Sequence, residues 1–259
     1  MAIDIELFTA RDDNFGVLVH DSAANITISI DAPEEAAINT ALSSKGWKLD
    51  YILTTHKHID HVEANVALKT AFGCTIIGPE GDKELIPGID QTVKGGDSLK
   101  LGNGKNLLDI QVIDTPGHTN ACITFYIPAA SAVFTADSLF SLGCGRIFDG
   151  TPEMMWASMQ RLMALPHKTK IYCGHEYTAS NARFALSVDG NNADLQARAG
   201  QIKLLRDQGK PTLPVTLAQE LATNPFLRPN DPAIRAHLGM ENATDAEVFT
   251  ELRSRKNTF

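Results

Sequence analysis

The sequence predicts an α/β fold followed by a separate helical region. Short apolar or alternating segments typical of strands recur between residues 3 and 173, and segments with helical spacing lie between them. After about residue 180 the strand signal stops, and helical segments follow that are separated by prolines. Side chains that can bind a metal come directly after several of the strands. These observations favour a layered sheet with functional residues at its edge.

Length and composition exclude several classes of protein. The chain has 259 residues and a net charge of −8, so nucleic acid and anionic membranes are poor partners. No apolar run reaches the roughly 20 residues of a spanning helix. The N-terminus does not resemble a signal peptide, and the four cysteines are widely spaced, which predicts buried thiols in a reducing compartment. We therefore expect a cytoplasmic protein.

Residues 3–31 predict three strands. Asp31 ends the third strand, and Ala32 and Pro33 follow it before a predicted helix over residues 34–43. Two interpretations of Asp31 are open. Its side chain can cap that helix, for which Pro33 is well placed, or it can hydrogen-bond a metal ligand.

Residues 54–61 carry the strongest chemical signal. The motif H-x-H-x-D-H places His56, His58, Asp60 and His61 between a short apolar strand and a predicted helix. In an extended segment, residues two apart point to the same side, so His56 and His58 can share one ion. Imidazole and carboxylate together suit zinc, iron or manganese.

Three further candidate ligands, His118, Asp137 and His175, each follow a predicted strand. Seven ligands exceed what one tetrahedral ion takes, and they suit two ions about 3.5–4 Å apart with one bridging carboxylate. The other histidines (His20, His167 and His237) and Cys173 are not expected to bind a metal. Met155, Met159 and Leu162 share one helix face, which we interpret as core.

The order of these motifs resembles that of the metallo-β-lactamase superfamily, and within it the chain resembles the glyoxalase II family of hydroxyacylglutathione hydrolases. The resemblance extends over nearly the whole chain and rests on residues 54–61, 115–119, 135–137, 143–146, 173–178 and 224–228. It implies an αββα sandwich, with a catalytic domain in residues 1–178 and a smaller helical substrate-binding domain in residues 179–259. It also implies that one metal is held by His56, His58 and His118, the other by Asp60, His61 and His175, and that Asp137 bridges them.

The resemblance implies a substrate site as well. By family pattern, Arg146, Tyr177, Arg253 and Lys256 bind glutathione, although spacing alone would make the last two a solvated basic helix end. Phe148 stands where many relatives have tyrosine, so a hydroxyl contact to glutathione is lost.

The implied activity is hydrolysis of S-D-lactoylglutathione to D-lactate and glutathione, in methylglyoxal detoxification. No G-x-S-x-G motif is present, so we expect a metal-bound hydroxide as nucleophile, with Asp60, His56 and His58 as catalytic residues. We expect two divalent ions, Zn²⁺ first and Fe or Mn as alternatives, and a monomeric protein.

Competing functions use the same scaffold. A persulfide dioxygenase with a single iron is the main alternative, and the helical tail with Arg253 and Lys256 argues against it. A secreted β-lactamase would need a signal peptide, a non-catalytic module would lack ligands, and a nuclease is disfavoured by the acidic charge.

Overall fold

The computed structural model describes residues 3–259, which form fourteen strands and nine α-helices. The strands are β1 (Ile3–Ala10), β2 (Asn14–Asp21), β3 (Ile26–Ile30), β4 (Tyr51–Leu53), β5 (Thr75–Pro79), β6 (Gln91–Val93), β7 (Ser98–Leu101), β8 (Leu108–Asp114), β9 (Ile123–Ile127), β10 (Ala132–Ala136), β11 (Leu139–Phe140), β12 (Gly143–Cys144), β13 (Lys170–Cys173) and β14 (Val215–Thr216). The helices are α1 (Glu35–Lys45), α2 (Ile59–Val62), α3 (Asn65–Phe72), α4 (Pro152–Met163), α5 (Thr178–Val188), α6 (Ala193–Asp207), α7 (Leu217–Thr223), α8 (Pro232–Leu238) and α9 (Asp245–Thr258).

The chain forms two compact units. The first runs to Asp114 and includes Ala121–Phe134, and the second comprises Thr115–Asn120 and Thr135–Phe259. This division differs from the boundary between residues 178 and 179 that the sequence suggested. That boundary stays a prediction.

A six-stranded sheet in the order β1-β2-β3-β4-β5-β6 organises the first unit. Strands β1, β2 and β3 are antiparallel neighbours, whereas β3, β4 and β5 run parallel, with Ile30 opposite Leu53 and Leu53 opposite Ile77. Parallel strands end at the same edge of a sheet, so the residues after β3 and β4 lie side by side. This pairing brings Asp31 next to Thr55.

The core of the first unit lies between this sheet and its helices. Strand β3 is buried at all five positions. Helix α1 contributes Ile38, Ala41 and Leu42 to a cluster that also contains Ile52 of β4 and Leu68 of α3. Burial of apolar surface of this kind, at about 25 cal/mol per Å², fixes the strand ends that carry the motif residues. A second sheet adds β10, β9, β8 and β7 as antiparallel neighbours.

The second unit contains the end of β10, the β11–β12 hairpin, β13 and the C-terminal helices. Strand β13 continues the second sheet, and the amide of Gly174 donates to the carbonyl of Ala136 at 3.0 Å. The strand signal was expected to stop after residue 180, but the two-residue β14 pairs antiparallel with β13. A segment that short carries no periodicity, so sequence patterns could not reveal it.

Helix α4 buries Met155, Met159 and Leu162, which confirms their assignment to the core. Helices α5 and α6 pack through Ala182, Ala185, Leu195 and Ile202. Among residues 3–259, no helix is long and apolar enough to cross a membrane.

Candidate metal centre

The H-x-H-x-D-H motif lies where the sequence predicted it, between β4 and the short helix α2. His56 and His61 are buried, and their ring centroids are 4.1 Å apart. The Nε2 atom of His56 lies 3.1 Å from Nδ1 of His58. Three imidazoles and the Asp60 carboxylate therefore meet at one edge of the first unit, a donor set that suits a divalent transition-metal ion.

The structure decides between the two interpretations of Asp31. Helix α1 is N-capped by Glu34 without a side-chain bond, so the capping interpretation is wrong. Asp31 is 5% exposed, and its carboxylate accepts hydrogen bonds from the amide of Thr55 at 2.7 Å and its hydroxyl at 2.9 Å. The same carboxylate lies 2.7 Å from Nδ1 of His61. Asp31 has a φ of 57°, a conformation that Asp tolerates better than most residues.

The contact with Asp31 fixes the tautomer of His61. A carboxylate only accepts hydrogen bonds, so Nδ1 of His61 carries the proton and Nε2 presents its lone pair. Asp31, His56 and His61 also offer one atom each within 4.8 Å of one another. Both oxygens of Asp31 already accept bonds from Thr55, so we interpret Asp31 as orienting His61 rather than as a ligand.

Asn14 holds the Asp60 side chain. Its Nδ2 donates to Asp60 Oδ2 at 3.0 Å and to the Asp60 carbonyl at 3.3 Å, and Oδ2 lies 3.6 Å from Nε2 of His61. Sequence patterns do not identify Asn14 as a site residue, because residues 12–14 have the composition of a turn. No local signal connects it to a residue 46 positions later.

In the second unit, Asp137 lies between two histidines. Its Oδ2 is 3.4 Å from Nε2 of His118 and 3.4 Å from Nε2 of His175. All three residues are buried. A carboxylate shared by two imidazoles at this distance is an arrangement in which oxygen and nitrogen atoms can bind a common cation. The second unit therefore brings together the three later residues that the sequence singled out.

Nδ1 of His118 lies 2.7 Å from the carbonyl oxygen of Arg146. A carbonyl accepts but cannot donate, so Nδ1 of His118 donates to it, and Nε2 is the ring nitrogen that faces Asp137. Gly145 lies so close to the backbone of Asp137 that a Cβ at position 145 would overlap the Asp137 carbonyl oxygen.

The remaining candidates that the sequence set aside have other roles. His20 stacks on Trp47 with ring centroids 4.7 Å apart, and its Nδ1 lies 3.0 Å from the hydroxyl of Thr27. Burial raises the pKa of the Cys173 thiol to about 12, which disfavours the thiolate that a metal would need. All four cysteines are buried thiols that form no disulfide, as predicted.

The residues predicted to bind the substrate all lie in the second unit. Tyr177 is 38% exposed, and its ring stacks on His175 at a centroid distance of 4.8 Å. Arg146 is exposed, and its guanidinium lies over the ring of Phe148. Phe148 is 58% exposed, and its ring meets the ring of His118 edge-on, with the ring centroids 5.3 Å apart. Two exposed aromatic rings therefore lie directly against buried histidines of the second unit.

Lys256 and Arg253 differ in their surroundings. Nζ of Lys256 lies 3.3 Å from the carbonyl and the hydroxyl of Ser180, and it sits 5.4 Å from the ring centroids of Phe184 and Phe259. Partial burial, followed by the nearby positive charges of Arg253 and Arg183, lowers the pKa of Lys256 to about 8. Arg253 is only 7% exposed, and its Nη1 donates to the carbonyl of Cys144 at 2.7 Å. Direct contact of Arg253 with a substrate stays a prediction.

Comparisons with known proteins agree with this architecture. Residues 27–175 match the metallo-beta-lactamase superfamily, and residues 176–259 match the hydroxyacylglutathione hydrolase C-terminus. The structure is similar to that of ETHE1 from Myxococcus xanthus, with a TM-score of 0.69 and 23% identity over 99% of this chain and 92% of that one, a likeness that concerns the fold. These matches define the class: a protein of the metallo-β-lactamase superfamily with an αββα sandwich and a C-terminal helical region.

The sequence relatives are more specific. The chain is 57% identical to a hydroxyacylglutathione hydrolase of Mesorhizobium japonicum over 100% of both chains, and 54% identical to one of Brucella ovis over 99% of this chain and 98% of that one. The chain belongs to the hydroxyacylglutathione hydrolase family. The fold class and the family expected from the sequence are therefore confirmed.

Proposed function

We propose that the protein hydrolyses the thioester of S-(2-hydroxyacyl)glutathione, with S-D-lactoylglutathione giving D-lactate and glutathione. The main support is family membership at 57% identity over the full chain, combined with a complete set of seven metal-binding side chains. The geometry within each unit is consistent with this activity, because His61 and His118 are buried and each is oriented by a fixed acceptor.

We propose further that the chain holds two divalent ions, most consistent with Zn²⁺. In this proposal His56, His58 and His118 hold one ion, Asp60, His61 and His175 hold the other, and Asp137 bridges them. The position of Asp137 Oδ2, equally distant from the Nε2 atoms of His118 and His175, supports the bridging role. The donor set of imidazoles and carboxylates fits Zn²⁺, and Fe or Mn are the alternatives.

The chemistry follows from these residues. When bound, divalent ions supply a water that is nucleophilic at neutral pH and a Lewis acid for the thioester carbonyl. In this proposal Asp60, whose Oδ2 accepts a hydrogen bond from Asn14, orients the attacking water by accepting a hydrogen bond from it. Asp60 and Asp137 together contribute only two negative charges, so the centre keeps a positive charge that favours the developing oxyanion. The leaving thiolate needs no strong general acid.

Glutathione recognition is proposed for the exposed and half-buried residues of the second unit. The carboxylates of glutathione suit the guanidinium of Arg146 and the ammonium of Lys256, and Tyr177 adds a phenolic hydroxyl and an aromatic face. Arg253 remains in the proposed set of substrate-binding residues. Phe148 lacks the hydroxyl that many relatives have, which is expected to reduce affinity for glutathione without altering the reaction.

The test compares two thioesters of the same acyl group, S-D-lactoylglutathione and an S-lactoyl thioester of a small neutral thiol. We expect efficient hydrolysis of the first and a much higher KM for the second. Equal kcat/KM for both would refute glutathione recognition. Oxygen consumption with a persulfide in an iron-loaded sample would instead support the dioxygenase alternative. A cytoplasmic location and a monomeric state remain predictions from the sequence.

A further inference from the structure

Arg253 joins the C-terminal helix α9 to the β11–β12 hairpin. Its Nη1 donates to the carbonyl of Cys144 at 2.7 Å and lies 3.4 Å from the carbonyl of Gly145. The guanidinium lies 5.4 Å from the ring centroid of Phe226, so packing as well as hydrogen bonding holds it. Arg253 is 7% exposed, and a buried guanidinium bonded to two carbonyls acts first on the backbone that it contacts.

Other buried polar side chains hold the same hairpin. Asn224 donates to the carbonyls of Phe140 and Gly143 at 3.3 Å and 3.1 Å, and Glu220 accepts from the amide of Leu142 at 2.9 Å. These contacts fix the turn of the hairpin between β11 and β12. Of these three side chains, Arg253 is the one that donates to the carbonyls of residues 144 and 145, which come immediately before Arg146.

The segment after the hairpin leads to His118. The carbonyl of Arg146, next along the chain after Gly145, is the acceptor for Nδ1 of His118 at 2.7 Å. The amide of Phe148 donates back to the carbonyl of His118 at 3.1 Å, and the amide of Gly145 donates to the carbonyl of Ser138 at 3.1 Å. The backbone of residues 144–148 is therefore bonded at one side to Arg253 and at the other to His118.

We propose that Arg253 is a positioning residue for His118, acting through the backbone of residues 144–146. This inference rests on the proposed role of His118 as a metal ligand. Arg253 holds the peptide that places the Arg146 carbonyl, and that carbonyl keeps a proton on Nδ1 of His118, which leaves Nε2 as the ring nitrogen to bind a metal. Helix α9 thereby affects metal affinity, in addition to any contribution to substrate binding.

The test uses Arg253→Met, which keeps much of the side-chain volume but removes the donors, and Arg253→Lys, which keeps a charge and a donor. Arg255→Met is the matched control, because Arg255 lies on the same helix and pairs at 2.7 Å with Glu251. Zinc affinity of the metal-free proteins is measured by competition with a chromogenic chelator. The tautomer of His118 is read from long-range ¹H–¹⁵N NMR spectra of the same samples at one pH.

We expect Arg253→Met to bind one zinc equivalent about tenfold more weakly, the lower end of what loss of an outer contact to a metal ligand costs. The NMR spectrum should show a mixture of His118 tautomers in place of a single Nδ1–H form. Arg253→Lys should recover part of both properties, and Arg255→Met should match the parent.

Parent-like zinc affinity and a single His118 tautomer in Arg253→Met, with a raised KM for S-D-lactoylglutathione and unchanged kcat, would overturn the proposal and leave Arg253 as a substrate contact. If Arg253→Met does not fold, Arg253→Lys decides by the same measurements, and parent-like values in it overturn the proposal. Absence of thioester hydrolysis by the parent would refute the proposed function, whereas the zinc and NMR results would still test the positioning role.

Discussion

Asp31→Asn separates the orientation of a metal ligand from the stability of the fold. The asparagine has nearly the same shape, and its oxygen can still accept from the amide of Thr55. Its NH₂ group then takes the place of Oδ2, which contacts both the hydroxyl of Thr55 and Nδ1 of His61. Facing an NH₂ donor, Nδ1 must become the acceptor, and the proton moves to Nε2. His61 in that tautomer has no lone pair with which Nε2 can bind a metal.

General values for such contacts give the size of both effects. Replacing the carboxylate by an amide weakens buried, charge-assisted hydrogen bonds, at a cost of about 1–3 kcal/mol. For a chain of this size, each kcal/mol lowers Tm by roughly 2–4 °C, so a fall of about 2–12 °C is expected. Loss of an outer partner of a metal-bound histidine typically lowers metal affinity or activity by about 10- to 100-fold. A 10- to 100-fold loss of affinity corresponds to about 1.4–2.7 kcal/mol, so metal affinity and stability should fall by similar free energies.

Asp21→Asn is a matched control. Asp21 is also buried in the first unit, and its Oδ1 accepts from the amides of Ala23 and Ala24 at 2.8 Å and 3.2 Å. Thermal unfolding and zinc titration of the metal-free proteins are the assays. Asp21→Asn should lose stability but keep the parent zinc affinity. Parent-like zinc affinity in Asp31→Asn would show that Asp31 does not control His61.

Three further predictions concern the second unit. The pKa of Lys256 is lowered to about 8, so its ammonium is present at pH 7 and lost as the pH rises through 8, and KM for S-D-lactoylglutathione should rise between pH 7 and 9. Lys256→Ala should remove this dependence of KM on pH. The same substitution should raise KM at pH 7 about fivefold to a hundredfold, equivalent to roughly 1–3 kcal/mol. Asp137→Ala should lower binding of both zinc equivalents, since its carboxylate lies 3.4 Å from two histidines, and retention of two equivalents by metal analysis would contradict bridging. Gly145→Ala should displace Asp137, because the added Cβ overlaps its carbonyl oxygen, and unchanged zinc affinity and Tm would refute that packing argument.

Sequence patterns predicted the local setting of the metal-binding residues. The apolar segment before residue 54 and the helical spacing after residue 61 were sufficient to place the first motif at a strand end. Asp137 follows β10, and His175 follows β13, for the same reason. Each of these strands and helices is determined by residues close together in the sequence, so the periodicity of its apolar residues can be recognised from that segment alone.

The partners of these residues could not be predicted in this way. Asp31 is bonded to Thr55, 24 positions later, because β3 and β4 are parallel neighbours. Arg253 reaches the Cys144 carbonyl across 109 positions. Neither contact has a periodic signature, and both depend on how separate elements pack. The sequence left Asp31 undecided for this reason. The assignment of Arg253 to substrate binding came from the family resemblance and stays a prediction.

The most direct test of the account measures thioester hydrolysis and metal content on the same sample. The protein should hydrolyse S-D-lactoylglutathione with about two divalent ions per chain, lose activity when a chelator removes them, and regain it with zinc, iron or manganese. Full activity in a sample verified as metal-free would contradict the account, as would a fully loaded sample that leaves S-D-lactoylglutathione intact.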